Sequence, residues 1–182
     1  MRRFIHTFCI AILLTLLVGA SARAQAPAAG MTAIGADLGV LFPDEALEKT
    51  LTLDAYGEYY VTPRISVRGL FGWARPGLEN RTEDRFREYR LLFNGVYNWD
   101  LETYVPFVTA GAGAYFVREL LDGLDDPDSE TRGGINFGGG VEYFVNETAS
   151  IKAEARWDLV SHPAGVPDAS GLALTFGYKR YF

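Results

Sequence analysis

The amino-acid sequence predicts an all-β chain: an eight-stranded antiparallel up-and-down transmembrane β-barrel. Three observations predict it. Apolar and polar residues alternate with period two along eight segments, which gives each strand two chemically different faces. Short and long connections alternate without exception, which puts all long loops at one end of a meander. Charges sit on one face of the strands, while large aromatics gather near the strand ends of the other.

The chain opens on a leader. Arg2 and Arg3 precede an apolar run from Phe4 to Val18, and Ala22-Arg23-Ala24 forms a small-x-small site before Gln25. The run is too short and wrongly flanked for a stable spanning helix, so residues 1–24 are expected to be a cleaved signal peptide. Residues 25–30 (QAPAAG) form a short flexible lead, and residues 31–182 the barrel domain. The single cysteine, Cys9, lies in the leader. Cleavage then leaves no disulfide or thiolate metal site, and the barrel must be held by other means.

The strands follow in order. The first, about Met31 to Phe42, sets Ile34, Ala36, Leu38, Val40 and Phe42 against Gly35, Asp37, Gly39 and Leu41. The second, about Leu51 to Thr62, sets Leu51, Leu53, Ala55, Gly57, Tyr59 and Val61 against Thr52, Asp54, Tyr56, Glu58 and Tyr60. Thr62-Pro63-Arg64 turns the chain, because proline cannot continue a ladder. The third, Ile65 to Trp73, alternates Val67, Phe71 and Trp73 with Ser66, Arg68 and Leu70. The fourth, about Phe86 to Trp99, alternates Tyr89, Leu91, Phe93, Tyr97 and Trp99 with Glu88, Arg90, Leu92, Asn94 and Asn98.

The fifth strand, Tyr104 to Val117, is rich in glycine and alanine, and its faces cannot be assigned from pattern. The sixth, Gly134 to Val145, alternates Ile135, Phe137, Val141 and Tyr143 with Asn136, Glu142 and Phe144. The seventh alternates Ile151, Ala153, Ala155, Trp157 and Leu159 with Lys152, Glu154, Arg156 and Asp158. The eighth, Gly171 to Phe182, alternates Leu172, Leu174, Phe176, Tyr178 and Phe182 with Ala173, Thr175, Gly177, Lys179 and Tyr181. Asp100–Thr103 and Asn146–Thr148 are short turns. Pro43–Thr50, Ala74–Arg85, Arg118–Gly133 and Val160–Ser170 are the longer, polar connections.

Alternation alone does not say which face is outside; a soluble barrel would turn its apolar stripe inward around a ligand. The aromatics decide for lipid. Tyr59, Tyr97, Trp99, Tyr143 and Phe182 fall at the short-turn end, and Phe42, Phe71, Trp73, Tyr89 and Trp157 toward the long-loop end, as two interfacial belts require. Charges avoid the middle of the apolar face, where Arg or Lys would cost roughly 2–4 kcal/mol. Arg87 and Arg180, the exceptions, are expected near strand ends, where long side chains reach headgroups. The other face carries Asp37, Asp54, Glu58, Glu88, Glu142, Glu154 and Asp158 together with Arg68, Arg90, Lys152, Arg156 and Lys179. These residues are expected to form a charge network in a lumen just wide enough for side chains to fill.

The strand pattern resembles the small eight-stranded outer-membrane proteins, such as the OmpA transmembrane domain, OmpX and the opacity-type adhesins. The end Gly177-Tyr178-Lys179-Arg180-Tyr181-Phe182 resembles the C-terminal signal of such barrels: Gly177 and Phe182 match, Arg180 stands where an aromatic is usual, and Tyr178 supplies one on the same face. The resemblance implies a Gram-negative outer membrane as the location. It implies as partners the barrel-assembly machinery, outer-membrane lipid and lipopolysaccharide, and an extracellular ligand at the loops. The expected role is structural or surface-interacting, with four displayed loops. Two alternatives stay open: a narrow, porin-like pore or transporter for small or hydrophobic molecules, and a lipid-modifying enzyme.

Little in the chain supports chemistry. The whole chain has a net charge of −6, and three of its 17 basic residues lie in the leader, so no basic face for nucleic acid is expected. His162 follows Ser161, whereas lipid A deacylases place a serine two residues after the histidine; that position is Ala164 here. Neighbouring strand residues point to opposite faces, so no catalytic residue is assigned. Asp122, Asp125, Asp126, Asp128 and Glu130 lack the spacing of a calcium loop and are read as a solvated acidic loop. Gly138-Gly139-Gly140 lies inside a strand, not before a helix, so no cofactor or phosphate loop is expected.

Overall fold

A computed structural model describes residues 27–44, 48–75, 77–78, 81–99, 104–121, 124–161 and 170–182. The side chains of residues 77–78, 81–86, 118–121 and 124–130 are outside the description. The expected signal peptide, the first two residues of the lead, the turn at 100–103, Asp122, His162 and Ala164 lie outside the described residues.

Eight long strands form the wall: β1 (Thr32–Pro43), β2 (Thr50–Tyr60), β3 (Ile65–Ala74), β4 (Arg81–Asn98), β5 (Tyr104–Leu121), β6 (Leu124–Asn146), β7 (Ala149–Val160) and β8 (Gly171–Tyr181). The two-residue segment Gly77–Leu78 adds a short ladder to the start of β4. Every strand pairs antiparallel with its neighbour in sequence, and β1 also pairs β8 from Ala33↔Tyr181 to Pro43↔Gly171. The sheet is therefore closed and has no free edge along the barrel. Outside the ladder proper, Phe182 and Thr32 exchange backbone hydrogen bonds of 2.9 and 3.3 Å, extending the seam by one residue.

The apolar residues face out. Ile34, Leu53, Val67 and Phe93 are 58, 49, 51 and 66% exposed, whereas Arg90 and Lys179 are 0% exposed. A wall whose grease is outside and whose ions are inside is the arrangement of a lipid-embedded barrel, and it excludes the soluble alternative. The β5 faces resolve as well: Val105, Phe107, Thr109 and Tyr115 point inward, while Val108, Ala110, Ala112 and Phe116 lie on the outer face.

Most of the described residues of two expected loops are instead strand. The β4 ladder reaches back to Arg81, and β5 and β6 run on to Leu121 and from Leu124. The reason is physical. Beyond the bilayer both faces of a hairpin can meet water, so RTEDR (residues 81–85) keeps its hydrogen-bond ladder after the apolar alternation has ended. Arg87 consequently lies inside β4 and not near a strand end.

Candidate functional site in the barrel lumen

Side chains from the inward rows fill the lumen in layers. At the short-turn end Ala33, Tyr60, Val105, Phe144 and Tyr181 pack into one cluster, joined by Met31. The rings of Phe144 and Tyr181 stack with centroids 5.2 Å apart, and Tyr60 lies 5.9 Å from Tyr181. Ser66, Asn98 and Ser150 are buried at the same end. This layer closes the base of the barrel with apolar surface.

Above it lies a turn-side charge cluster. Lys179 Nζ sits 3.1 Å from Glu58 Oε2 and 3.0 Å from Glu142 Oε2. Arg68 Nε donates to Glu58 Oε2 at 3.0 Å, and its Nη1 to Glu154 Oε2 at 2.9 Å. Lys152 Nζ lies 2.7 Å from both Asp37 Oδ2 and Glu154 Oε2. Each cation thus joins two carboxylates, and the chain of pairs ties β1, β2, β3, β6, β7 and β8 across the interior. Ser150 and Tyr181 hydroxyls add hydrogen bonds to Glu142, and Ser66 to Glu58. Aromatic rings cover the cations: Lys152 Nζ is 4.3 Å from the Tyr56 ring centroid and Arg68 Cζ 4.9 Å, while Lys179 Nζ is 5.1 Å from Tyr181. Such contacts strengthen as water is excluded.

The loop-side cluster has a different plan. Asp54 accepts from Arg90 Nη2 at 2.8 Å through one oxygen and from Arg156 Nη1 at 3.1 Å through the other. Arg156 Nε also donates to Asp158 Oδ1 at 3.1 Å, and Arg90 Nη1 to Glu88 Oε1 at 3.3 Å. Arg90 Nη2 makes a further hydrogen bond to the Thr52 hydroxyl. Among the described residues no ion pair joins this cluster to the turn-side one. Tyr56, Leu70, Leu92, Tyr115 and Val160 form an apolar layer, which touches the turn-side cations through the Tyr56 ring. The neutral flank of the lumen is Asn94, whose amide donates to Asn136 and, at 3.2 Å, to Thr109.

All twelve charged residues on the expected lumen face are therefore buried, and they sort into two clusters. The sequence reading missed Arg132, which is 5% exposed and has an interaction partner of its own. It fell within an expected loop; extending the period of the sixth strand by two residues, through Gly134, would have placed it on the inward row. Of the C-terminal hexapeptide, Gly177 is inward and buried, while Tyr178 and Phe182 stand on the outer face, 50 and 66% exposed. Gly177 lies in register with both Asp37 and Lys152, and a Cβ there would overlap the Asp37 carboxylate. The glycine thus makes room for an ion pair across the β1–β8 seam. The Ser161 hydroxyl donates to the Gly133 carbonyl at 2.8 Å.

The family model for the outer membrane protein beta-barrel domain matches residues 10–179. The chain belongs to that family. Its outer-membrane location follows from membership. No curated protein matches it in sequence. Among solved structures, neisserial surface protein A is similar with a TM-score of 0.68 at 16% identity, over 84% of this chain and 96% of that one. OprG from Pseudomonas aeruginosa gives 0.69 at 11%, over 89% and 99%. Ail, the attachment invasion locus protein of Yersinia pestis, in complex with the heparin analogue sucrose octasulfate gives 0.55 at 16%, over 85% and 99%. At these identities the likeness is one of fold: small outer-membrane barrels. Such neighbours include a surface protein and an attachment invasion locus protein, and the role of this member is narrower than the family.

Proposed function

We propose that this barrel is a structural, surface-interacting protein that holds four loops outside the cell and does not conduct. One observation carries the reading. Two ion-paired clusters and an aromatic layer fill the interior from Asp158 down to Tyr181, and opening a path would separate buried charges from their partners. Breaking such a pair costs about 3–5 kcal/mol. The wall of outward apolar side chains supports direct contact with outer-membrane lipid, and the Gly177–Phe182 hexapeptide supports delivery by the barrel-assembly machinery. The leader supports export with cleavage after Ala24, leaving residues 25–30 as a lead into the barrel.

The test is electrical. The purified protein in a planar bilayer is expected to give no discrete conductance steps; steady single-channel events would overturn the reading. Migration on a gel before and after boiling is expected to differ, as for a barrel that resists detergent until heated. A second reading, a narrow pore or transporter for small or hydrophobic molecules, has one observation in its favour. Arg68 Nη2, Arg156 Nη2 and Asp158 Oδ2 have no hydrogen-bond partner in the protein, which leaves donors and an acceptor to line a path. Nothing comparable favours an enzyme. Lipid A incubated with the protein is expected to be recovered unchanged, whether or not His162 is replaced by alanine.

A further inference from the structure

The chain enters the barrel at the turn end, and its path there covers the mouth. Residues 28–31 form a tight turn in which the Met31 N–H donates to the Ala28 carbonyl at 3.2 Å. The third residue of the turn, Gly30, has a φ of 87°. Glycine adopts a positive φ at that position without steric cost. The turn folds the lead back onto the base of the barrel.

Backbone bonds clamp it there. The Gly30 N–H donates to the Tyr60 carbonyl at 2.8 Å, and the Tyr60 N–H to the Met31 carbonyl at 2.9 Å. These bonds carry the β1–β2 pairing one step past Thr32↔Tyr59. Met31 thereby falls on the same inward row as Ala33 and Asp37. Its side chain packs against the cluster of Ala33, Tyr60, Val105, Phe144 and Tyr181. The Ala28 N–H donates to Met31 Sδ at 3.0 Å, which fixes the thioether over that cluster. Pro27, just before the turn, is buried, while Ala28, Ala29 and Gly30 are exposed. The turn shows its backbone to water and keeps the apolar residues on either side of it, Pro27 and Met31, largely out of water.

Behind the plugged layer lies the turn-side charge cluster. Lys179 is 0% exposed, and its Nζ stands 2.8 Å from the Tyr60 hydroxyl and 5.1 Å from the centre of the Tyr181 ring. The two tyrosines thus touch Lys179 on one side and belong, on the other, to the cluster that Met31 covers. Ion pairs gain strength where water is kept away. We propose that Pro27–Met31 is a plug built into the chain: it closes the turn-side mouth of the lumen and keeps solutes from the charge cluster, and Gly30 is the joint that holds it shut. This goes beyond the non-conducting reading, which rests on ion pairs further in. The rival account is that the aromatic layer seals the mouth unaided and the lead is idle.

Gly30 separates the two. No atom lies within 4 Å of a Cβ built there, so a side chain at this position meets nothing and acts through the backbone alone. Valine is β-branched and resists a positive φ, whereas asparagine accepts it.

The experiment measures chemical access, using the full-length protein purified from membranes in detergent. Cys9→Ala leaves the reporter as the only thiol. The reporter Ala33→Cys sits behind Met31 at a position 1% exposed. Two others bracket it: Glu147→Cys on an exposed turn, and Thr109→Cys further in, at a buried position on β5. Alkylation by iodoacetamide, read by mass spectrometry, is expected to be about a hundredfold slower at Ala33→Cys than at Glu147→Cys. Adding Gly30→Val or Met31→Ser is expected to raise the Ala33→Cys rate about tenfold, and adding Gly30→Asn to leave it within about twofold. None of the three should change the Thr109→Cys rate by more than about twofold. If Gly30→Val and Met31→Ser both leave Ala33→Cys protected, the aromatic layer seals the mouth by itself and the proposal is overturned. It is overturned as well if Thr109→Cys gains as much as Ala33→Cys, which marks a barrel loosened throughout, or if Gly30→Asn acts like Gly30→Val. Should Gly30→Val or Met31→Ser lose the heat-dependent gel shift, Gly30→Ala and Met31→Ala take their places with the same expectation. Conductance reads the narrowest part of the whole lumen, so a channel result leaves the access rate at this mouth to be judged on its own.

Discussion

The two charge clusters of the lumen hold opposite strands together by different means. On the turn side, removing any one carboxylate leaves a partner for every cation, and except when Asp37 is removed, which leaves Lys152 with Glu154 of its own strand, those partners lie on other strands: without Glu58, for example, Lys179 keeps Glu142, Arg68 keeps Glu154 and Lys152 keeps Asp37. On the loop side, Asp54 alone joins β2 to both β4 and β7. Without it the close ion pairs left are Arg90 with Glu88 on β4 and Arg156 with Asp158 on β7, both within one strand; the Thr52 hydroxyl still ties β2 to Arg90, but only as a neutral partner, and the cross-lumen contact of Arg90 with Asp158 is 3.7 Å long. The turn-side cluster is redundant; the loop-side cluster hangs on a single keystone. What differs is connectivity, since both clusters carry one more acid than base.

The sharpest way to break this comparison is Asp54→Asn. It keeps the shape and removes the shared charge, so it is expected to destabilise by about 3–5 kcal/mol, measured as the shift of the urea unfolding midpoint in lipid vesicles. Glu58→Gln should cost less, about 2 kcal/mol, because the three remaining acids and three cations still pair one to one across the lumen. Equal losses for the two variants would remove the distinction between keystone and redundancy.

Gly177→Ala sharpens the comparison at the seam. Its Cβ would push Asp37 away from Lys152, and about 1–2 kcal/mol of overpacking is expected. Refolding the purified chain into vesicles isolates this effect, since no assembly machinery is present to read the hexapeptide. Gly57→Ala is the matching control on the outer face. Nothing lies within 4 Å of the new methyl group, and its stability should stay within about 0.5 kcal/mol of the original.

How much of this was legible in the sequence depends on where lipid makes the two faces unlike. Between the belts, period two identified the faces of β1–β4 and β6–β8, and Glu154 and Arg156 stood out as inward residues from the alternation of β7 alone. It failed on β5, where glycines and alanines give neither face a signature and the large inward residues Phe107 and Tyr115 are themselves aromatic. It failed again above the belts, where RTEDR (residues 81–85) has no apolar alternation and reads as loop while it forms strand. The sorting of charges into two clusters was not legible at all. Which base meets which acid depends on how far each row has climbed around a tilted wall, and Lys179 reaches Glu142 and Glu58 from strands distant in sequence. The roles of Tyr60 and Tyr181 in closing the base were hidden for the same reason.

The pairing of β1 with β8 has a temporal consequence. The strand exported first acquires its second neighbour only when the last one arrives, so ring closure must wait for the entire polypeptide. Until then the backbone donors and acceptors on one side of β1, from Ala33 to Pro43, stay unmatched in a medium where each unmet group is costly. Closing a loop that spans the whole domain is entropically slow. The interval between export and closure is therefore when the chain is most prone to aggregate, and a holding chaperone would matter most there.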